Sequence, residues 1–286
     1  MSSTSVAEAP QLEVAGVLAK SRGENFTVAS RLLPGRLRAQ LRAVYGFARL
    51  VDDVGDVAAG DRERQLDWVE AELTRAFEGR ANHPIFLAVQ RCVAEVGLDR
   101  QPFDDLVAAN RQDQRVRRYP TYADLEAYCA LSANPVGRLV LAILGRRDPL
   151  AVELSDRVCT GLQLVEHWQD VAEDLGRGRV YLPLEDLDRF EVTESQLAAP
   201  SASPAFRRLM AFEVGRAREL LRSGAPLVGL LAPAGRVAVA GFLGGGLAQL
   251  EAIERHGYDV LAHRVKASKG AVAARAAALA CGREPR

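Results

Sequence analysis

The chain has 286 residues, of which 48% are hydrophobic and 26% charged, and its 37 basic side chains balance 37 acidic ones. That length can bury a substantial core, and the balanced charge gives no electrostatic footprint for a nucleic-acid partner. Lys occurs only at 20, 266 and 269, so nearly all the positive charge is Arg. Cys92, Cys129, Cys159 and Cys281 form no CxxC pair and have no His at zinc-ligand spacing, which reads as buried or incidental thiols in a reducing cytoplasm.

Residues 1–10 read as disordered, and Gln11–Lys20 as a short helix. The opening MSSTSVAEAPQLEV lacks the basic start and continuous apolar run of a signal peptide. From Arg36, Leu37, Leu41, Val44, Ala48 and Val51 recur near a 3.6-residue period and predict a long amphipathic helix running to about Ala59. Further helices are predicted over Asp61–Arg80, Ile85–Val96 and from Pro102 to about Gln114. Thr121-Tyr-Ala-Asp124 has the form of a capping box, and it should start a helix to Leu144 that Asn134-Pro135 kinks or breaks. Pro149 to about Leu175 is helical, and Arg179–Ser203 reads as mostly loop. Helices resume at Ala205–Leu221, Ala234–His256 and Tyr258–Ala280, and 281–286 should fray. No alternating strand pattern, linker or repeat appears, so the expectation is one all-α domain over 1–286. The longest uncharged run after Arg236 is the fourteen residues Val237–Leu250, short of the roughly 20 a spanning helix needs. The expected location is therefore cytoplasmic, with at most peripheral contact at the inner face of the plasma membrane through the basic tail containing Lys266 and Lys269.

Two stretches carry the chemistry. In Gly161–Pro183, Gln163, His167, Asp170 and Asp174 fall at spacings of four, three and four, which places them on one helical face. Like charges at i, i+4 cost a helix a few tenths of a kcal/mol, and Glu166 and Glu173 add to the acidity. Gly176-Arg177-Gly178-Arg179 then supplies guanidinium groups and loose backbone. Taken alone, such a face reads as solvated surface. The second stretch changes that: Asp52 and Asp56 stand one turn apart in an otherwise apolar helix, with Arg49 and Tyr45 on the same side. Carboxylates are hard ligands that suit Mg²⁺, which takes one or two of them together with phosphate and water. The pattern therefore predicts two facing helices that hold Mg²⁺ against a diphosphate, with metal and Arg stabilising the charge of the leaving group. Other sites lack their motifs: there is no Glu-x-x-His pair, GxxxxGK[ST], HExxH, GxGxxG or GxSxG.

In this order, NFTVASRLLP (25–34), YGFARLVDDVGD (45–56), RYPTYADLEAYC (118–129), QLVEHWQDVAEDLGRGRVYLP (163–183) and GYDVLAHRV (257–265) resemble the squalene and phytoene synthase family of head-to-head prenyl-transferring enzymes. The resemblance covers most of the chain. It implies a single all-α isoprenoid-synthase domain with a central apolar cavity, a prenyl diphosphate as small-molecule substrate, and Mg²⁺. Carried over by motif position, Asp52, Asp56, Asp170 and Asp174 would be the Mg²⁺-diphosphate ligands. Asp53, Arg49, Tyr45, Gln163, Arg179 and Tyr181 would support diphosphate binding or ionisation.

Within the family, Glu24-Asn25-Phe26, Ser132-Ala-Asn-Pro-Val-Gly137 and Trp168-Gln169-Asp170 look most like the branch that makes hydroxysqualene in bacterial hopanoid pathways. That implies ionisation of presqualene diphosphate, rearrangement of the cyclopropylcarbinyl cation and capture by water, with no hydride and hence no NADPH. Head-to-head prenyl transfer giving presqualene diphosphate, squalene or phytoene is the nearest alternative. A catalytically silent scaffold for a lipid-pathway complex is the alternative of another class. Asn134 is expected to reshape the pocket and help place the quenching water. Glu166 stands where the family usually has Asn, and is either a metal ligand or turned away. His167 is a proton acceptor or a hydrogen-bonded structural residue. Phe26, Tyr128, Phe242 and Leu243 are prenyl-pocket candidates that could equally be core. Arg111, Arg115, Arg117 and Arg118 form a solvated cluster or reach the diphosphate. No feature specifies an oligomeric state.

Overall fold

The computed structural model describes residues 34–56 and 60–282, and these contain helices and connecting segments without a strand. Asn25, Phe26 and the short helix expected over 11–20 lie outside the described residues.

The chain begins with α1 (Gly35–Asp56), α2 (Arg62–Phe77), α3 (Pro84–Val96) and α4 (Gln101–Asp113). Asp61 accepts from the Arg64 amide to start α2, and Gly97, at φ 67°, ends α3 in the left-handed conformation that glycine favours. α1 buries Leu41, Val44, Phe47, Leu50, Val51 and Val54 against α3 and α4. Phe47 meets Phe86 and Phe103 edge-on, at ring centroid separations of 5.9 and 4.9 Å.

The capping box forms as its spacing predicts, with the Thr121 side chain accepting from the Asp124 amide and Asp124 from the Thr121 amide. It starts α5 (Tyr122–Ser132), and the chain breaks at Ala133 before α6 (Asn134–Ile143), so Pro135 occupies a first helical turn where its missing N–H costs nothing. α7 (Pro149–Gln169) does not run on to Leu175. Asp170 takes φ −105° and ψ 20°, and α8 (Val171–Gly176) follows.

The segment expected to be mostly loop contains α9 (Leu184–Arg189) and α10 (Glu194–Leu197), the second started by a Thr193–Gln196 capping box. α11 (Pro204–Gly224), α12 (Leu227–Leu230), α13 (Pro233–Arg255) and α14 (Lys269–Ala280) complete the order. The last helix begins eleven residues later than expected. Gly257 and Tyr258 both adopt positive φ, and Asp259 accepts from the Ala202 and Ala262 amides while pairing with Arg207. Side chain–backbone bonds thus satisfy this stretch in place of helix.

Buried apolar side chains form two clusters. One is built on α1, α2 and α3; the other gathers α5, α7, α11 and α13. α4 and α6 join them: Phe103, Leu106, Val107 and Leu139 belong to the first, Ala109 and Leu141 to the second. α13 is the described helix long and apolar enough to cross a membrane, and 72% of that window is buried inside the protein against its neighbours. The polar site lies where α1, α4, α5, α7 and α8 meet.

Candidate active site

A cavity of about 240 Å³ is lined by Arg49, Asp52 and Asp56 from α1, Asn110 and Asp113 from α4, and Tyr128 and Ser132 from α5. Gln163, Glu166, His167, Asp170 and Asp174 close it from α7 and α8, with Arg177, Arg179 and Tyr181 from the segment beyond. Both acidic pairs therefore open onto the same space. The break at Asp170 preserves their spacing, because the Asp174 amide still donates to the Asp170 carbonyl at 2.8 Å.

The segment after α8 is held by its backbone. Gly178 turns at φ 80°, where a residue with a side chain would be strained. The Val180 amide then donates to the Arg117 carbonyl at 2.9 Å and the Leu184 amide to the Tyr119 carbonyl at 2.9 Å. Arg118 donates to the Gly178 carbonyl at 2.6 Å and pairs with Glu194. The strap formed in this way carries Arg179 and Tyr181 to the cavity. Arg179 Nη1 reaches Asp56 Oδ1 at 2.8 Å and so joins the strap to α1.

Asp52 accepts from Asn110 Nδ2 at 3.3 Å. Its carboxylate opens to the cavity yet is crowded by surrounding protein that displaces bulk water. That crowding, with Asp56 nearby and against the Asn110 hydrogen bond, pushes its pKa up to about 6. Asp174 is pushed up to about 7, first by burial and then by Asp170, outweighing Arg177 and Arg179. The two pairs are thus short of positive charge. Among the described residues no three Asp, Glu, His or Cys side chains form a ready-made metal cage. Pairs of hard oxygens deficient in counter-charge suit a cation that completes its shell with water and phosphate.

An aromatic wall stands beside the carboxylates. His167 stacks on Tyr181 at 3.7 Å between ring centroids and 14° between planes, and Tyr181 stacks on Tyr119 at 5.7 Å. Burial, reinforced by Arg179, pushes the His167 pKa down to about 3. The ring is neutral, and its Nε2 lies 3.2 Å from Gln163 Nε2, which assigns the acceptor role to the ring nitrogen and its proton to Nδ1.

Several expected site residues sit elsewhere. Asp53 is buried, pairs with Arg49 at 3.0 Å and is not among the cavity-lining residues. Tyr45 is partly buried on α1, also outside the lining. Asn134 is buried between α6 and α7, where its Oδ1 accepts from Thr160 Oγ1 at 3.0 Å. Glu166 lines the cavity, so that position has not turned away. Leu243 is fully buried in the core of α13. The basic cluster divides: Arg111 pairs with Glu63, Asp67 and Glu70 and Arg115 with Glu63, while Arg117 and Arg118 support the strap. Asn110 and Asp113, which the sequence analysis did not single out, belong to the site. Their i, i+3 spacing on α4 was the available signal.

The Squalene/phytoene synthase family model matches residues 19–271. The chain belongs to the squalene/phytoene synthase family. It is 32% identical to a phytoene synthase of Arthrospira platensis over 256 residues, covering 84% of this chain and 83% of that protein. It is 35% identical to a hydroxysqualene synthase of Rhodopseudomonas palustris over 210 residues, covering 72% and 70%. The crystal structure of a squalene synthase from Alicyclobacillus acidocaldarius matches at TM-score 0.79 and 43% identity, covering 86% of this chain and 95% of that one. The all-helical fold expected from the sequence is thus that of the isoprenoid synthases.

Proposed function

We propose that this enzyme ionises presqualene diphosphate and lets water capture the rearranged cation, giving hydroxysqualene and diphosphate for hopanoid biosynthesis. The observation that carries the diphosphate chemistry is the convergence of Asp52, Asp56, Asp170 and Asp174 with Arg49, Arg177 and Arg179 on one cavity. The choice of water capture is supported by likeness to the Rhodopseudomonas palustris hydroxysqualene synthase and by the motifs quoted above. Asp52 and Asp56 on one wall and Asp170 and Asp174 on the other would hold Mg²⁺. When bound, Mg²⁺ supplies Lewis-acid neutralisation of the departing diphosphate. Arg179 exchanges its Asp56 partner for a diphosphate oxygen, a fork-shaped donor well suited to that geometry. Tyr128 and Tyr181 line the same cavity and would offer aromatic surface to positive charge developing there. Held by its backbone bonds to the Arg117 and Tyr119 carbonyls, the strap stays in place when Arg179 leaves Asp56 and would keep bulk water from the cation.

Head-to-head prenyl transfer is the second reading, favoured by the larger share of the chain, 84%, that aligns with the Arthrospira platensis phytoene synthase. Purified protein with Mg²⁺ is given presqualene diphosphate or farnesyl diphosphate separately. The expected result is the alcohol from the first and no turnover of the second alone. Presqualene diphosphate or a hydrocarbon formed from the second would replace the first reading with the transferase.

A further inference from the structure

The diphosphate chemistry gives Asp113 no task, yet Asp113 is the carboxylate most enclosed by the site. It is the last residue of α4, only 8% exposed, and it lines the cavity. Its Oδ2 accepts from the Tyr128 hydroxyl at 2.7 Å. Its Oδ1 is buried and makes no well-formed hydrogen bond, although the Tyr181 hydroxyl stands near enough to favour the charged form. Leaving a buried carboxylate oxygen unsatisfied costs about 1–3 kcal/mol or more, so a purely structural role accounts poorly for it. The groups that face it are Asp52 and Asp56 from α1, Tyr119 from the α4–α5 connection, Tyr128 from α5, and Arg179 and Tyr181 from the strap. Burial, with Asp56 adding, pushes the Asp113 pKa up to about 6, against the Tyr128 hydrogen bond and Arg179. A carboxylate that accepts from a phenol, both lining one cavity, is placed to receive a proton through that phenol.

Its rivals are poorer acceptors. His167 has its conjugate acid pushed down to about 3 and its Nε2 already engaged by Gln163. Tyr128 lies well above the usual phenol range because burial, then Tyr181 and Asp113, disfavour its anion. It can pass a proton on only if its own proton has somewhere to go, and Asp113 Oδ2 is in place to take it.

We propose that Asp113 is the terminal proton acceptor of the reaction, acting behind Tyr128. As water bonds to the carbocation, one of its O–H bonds breaks and that electron pair stays on the new alcohol oxygen. The proton goes to Tyr128 Oη while the Tyr128 O–H bond breaks and its proton passes to Asp113 Oδ2. The phenol ends unchanged, the carboxylate ends as the acid, and the proton leaves to solvent when product departs. This rests on the prenyl diphosphate chemistry proposed above but not on its product, because closing a cyclopropane from two prenyl units also releases one proton.

Asp113→Asn tests it, because Asn can still accept the Tyr128 hydrogen bond through its amide oxygen but cannot take the proton. Diphosphate release is followed from whichever of presqualene diphosphate or farnesyl diphosphate the wild type consumes, across pH 5 to 9. Asp113→Asn should lower kcat about a hundredfold with little change in KM, and the loss should persist at every pH in that range. Tyr128→Phe should cost a similar factor, and the double variant no more than either alone. Binding of inorganic diphosphate with Mg²⁺, by calorimetry, should be as in wild type, which separates the loss from misfolding. A kcat for Asp113→Asn near wild type would reduce Asp113 to holding the phenol. Additive losses in the double variant would assign the proton to the departing diphosphate. Product identity is read from wild type alone, so a wrong product overturns the proposed activity and leaves the Asp113 result standing.

Discussion

At the scale of single residues, Asp52 shows how function is held in place by a neighbour that does no chemistry itself. Asn110 donates to Asp52, and a Cβ built at Gly55 would lie 2.1 Å from Asn110 Oδ1. Gly55→Ala must therefore push Asn110 off its partner. It should destabilise the fold by about 1–3 kcal/mol and lower diphosphate release, measured by thermal melting and a steady-state assay. Asp52→Asn and Asp170→Asn should behave in the opposite way for stability. Each removes one of two like charges in a site short of cations, so the melting temperature should hold or rise while turnover falls a hundredfold or more, about 3 kcal/mol of barrier. Full function in such variants would favour the scaffold alternative. The acidic pairs were legible in the sequence because a period of four on one strip survives folding. Asp113 was not legible, because the arginines around it in sequence make it resemble solvated surface. Those arginines in fact turn to Glu63, Glu194 and the strap.

At the scale of elements, backbone bonds decide placement. The strap depends on Arg117 and Tyr119 carbonyls that no side-chain pattern announces. The reading of a loop there missed α9 and α10 because helices so short carry no full period. The α13–α14 contact is set by close approach: a Cβ at Gly244 would stand 2.6 Å from the Ala276 amide nitrogen and 2.9 Å from its Cα. Backbone cannot rotate away, so Gly244→Ala should separate these helices. The expected outcome is a loss of about 1–3 kcal/mol, with amide exchange over 269–280 accelerating more than over α1. The capping box at Thr121 is the contrasting case, where a local signal and the fold agree.

At the scale of the whole molecule, α4 and α6 contribute to both apolar clusters, and we propose that 34–282 fold as one domain; a single calorimetric transition is expected. Stability should have a dome-shaped pH dependence. Glu213 on α11 is fully buried beside Arg216 and Asp186, and burial pushes its pKa up to about 8. A raised carboxyl favours the folded state below its unfolded value of 4.5 and loses that contribution as pH rises through 8. His167, pushed down to about 3 from 6.5, acts the other way: its contribution is present above 6.5 and lost as pH falls toward 3. Between pH 6.5 and 8 the carboxyl effect stands alone among these two, and Asp174 adds to it in the same direction. Melting temperature should therefore decline over that interval, and Glu213→Gln should make the decline shallower.

The sequence by itself determined the helical class, most helix positions, the two acidic strips and the family, since periodicity, caps and motif order are properties of neighbouring residues along the chain. Tertiary structure alone decided that both strips face one cavity, that Asn134 is tied to Thr160 in the packing between α6 and α7, that Glu166 lines the site, and that Asp113 stands buried behind Tyr128. Those facts depend on which distant side chains displace water from a carboxyl or amide. The energy of a polar group is fixed by that displacement and by its partners, and neither is encoded in spacing.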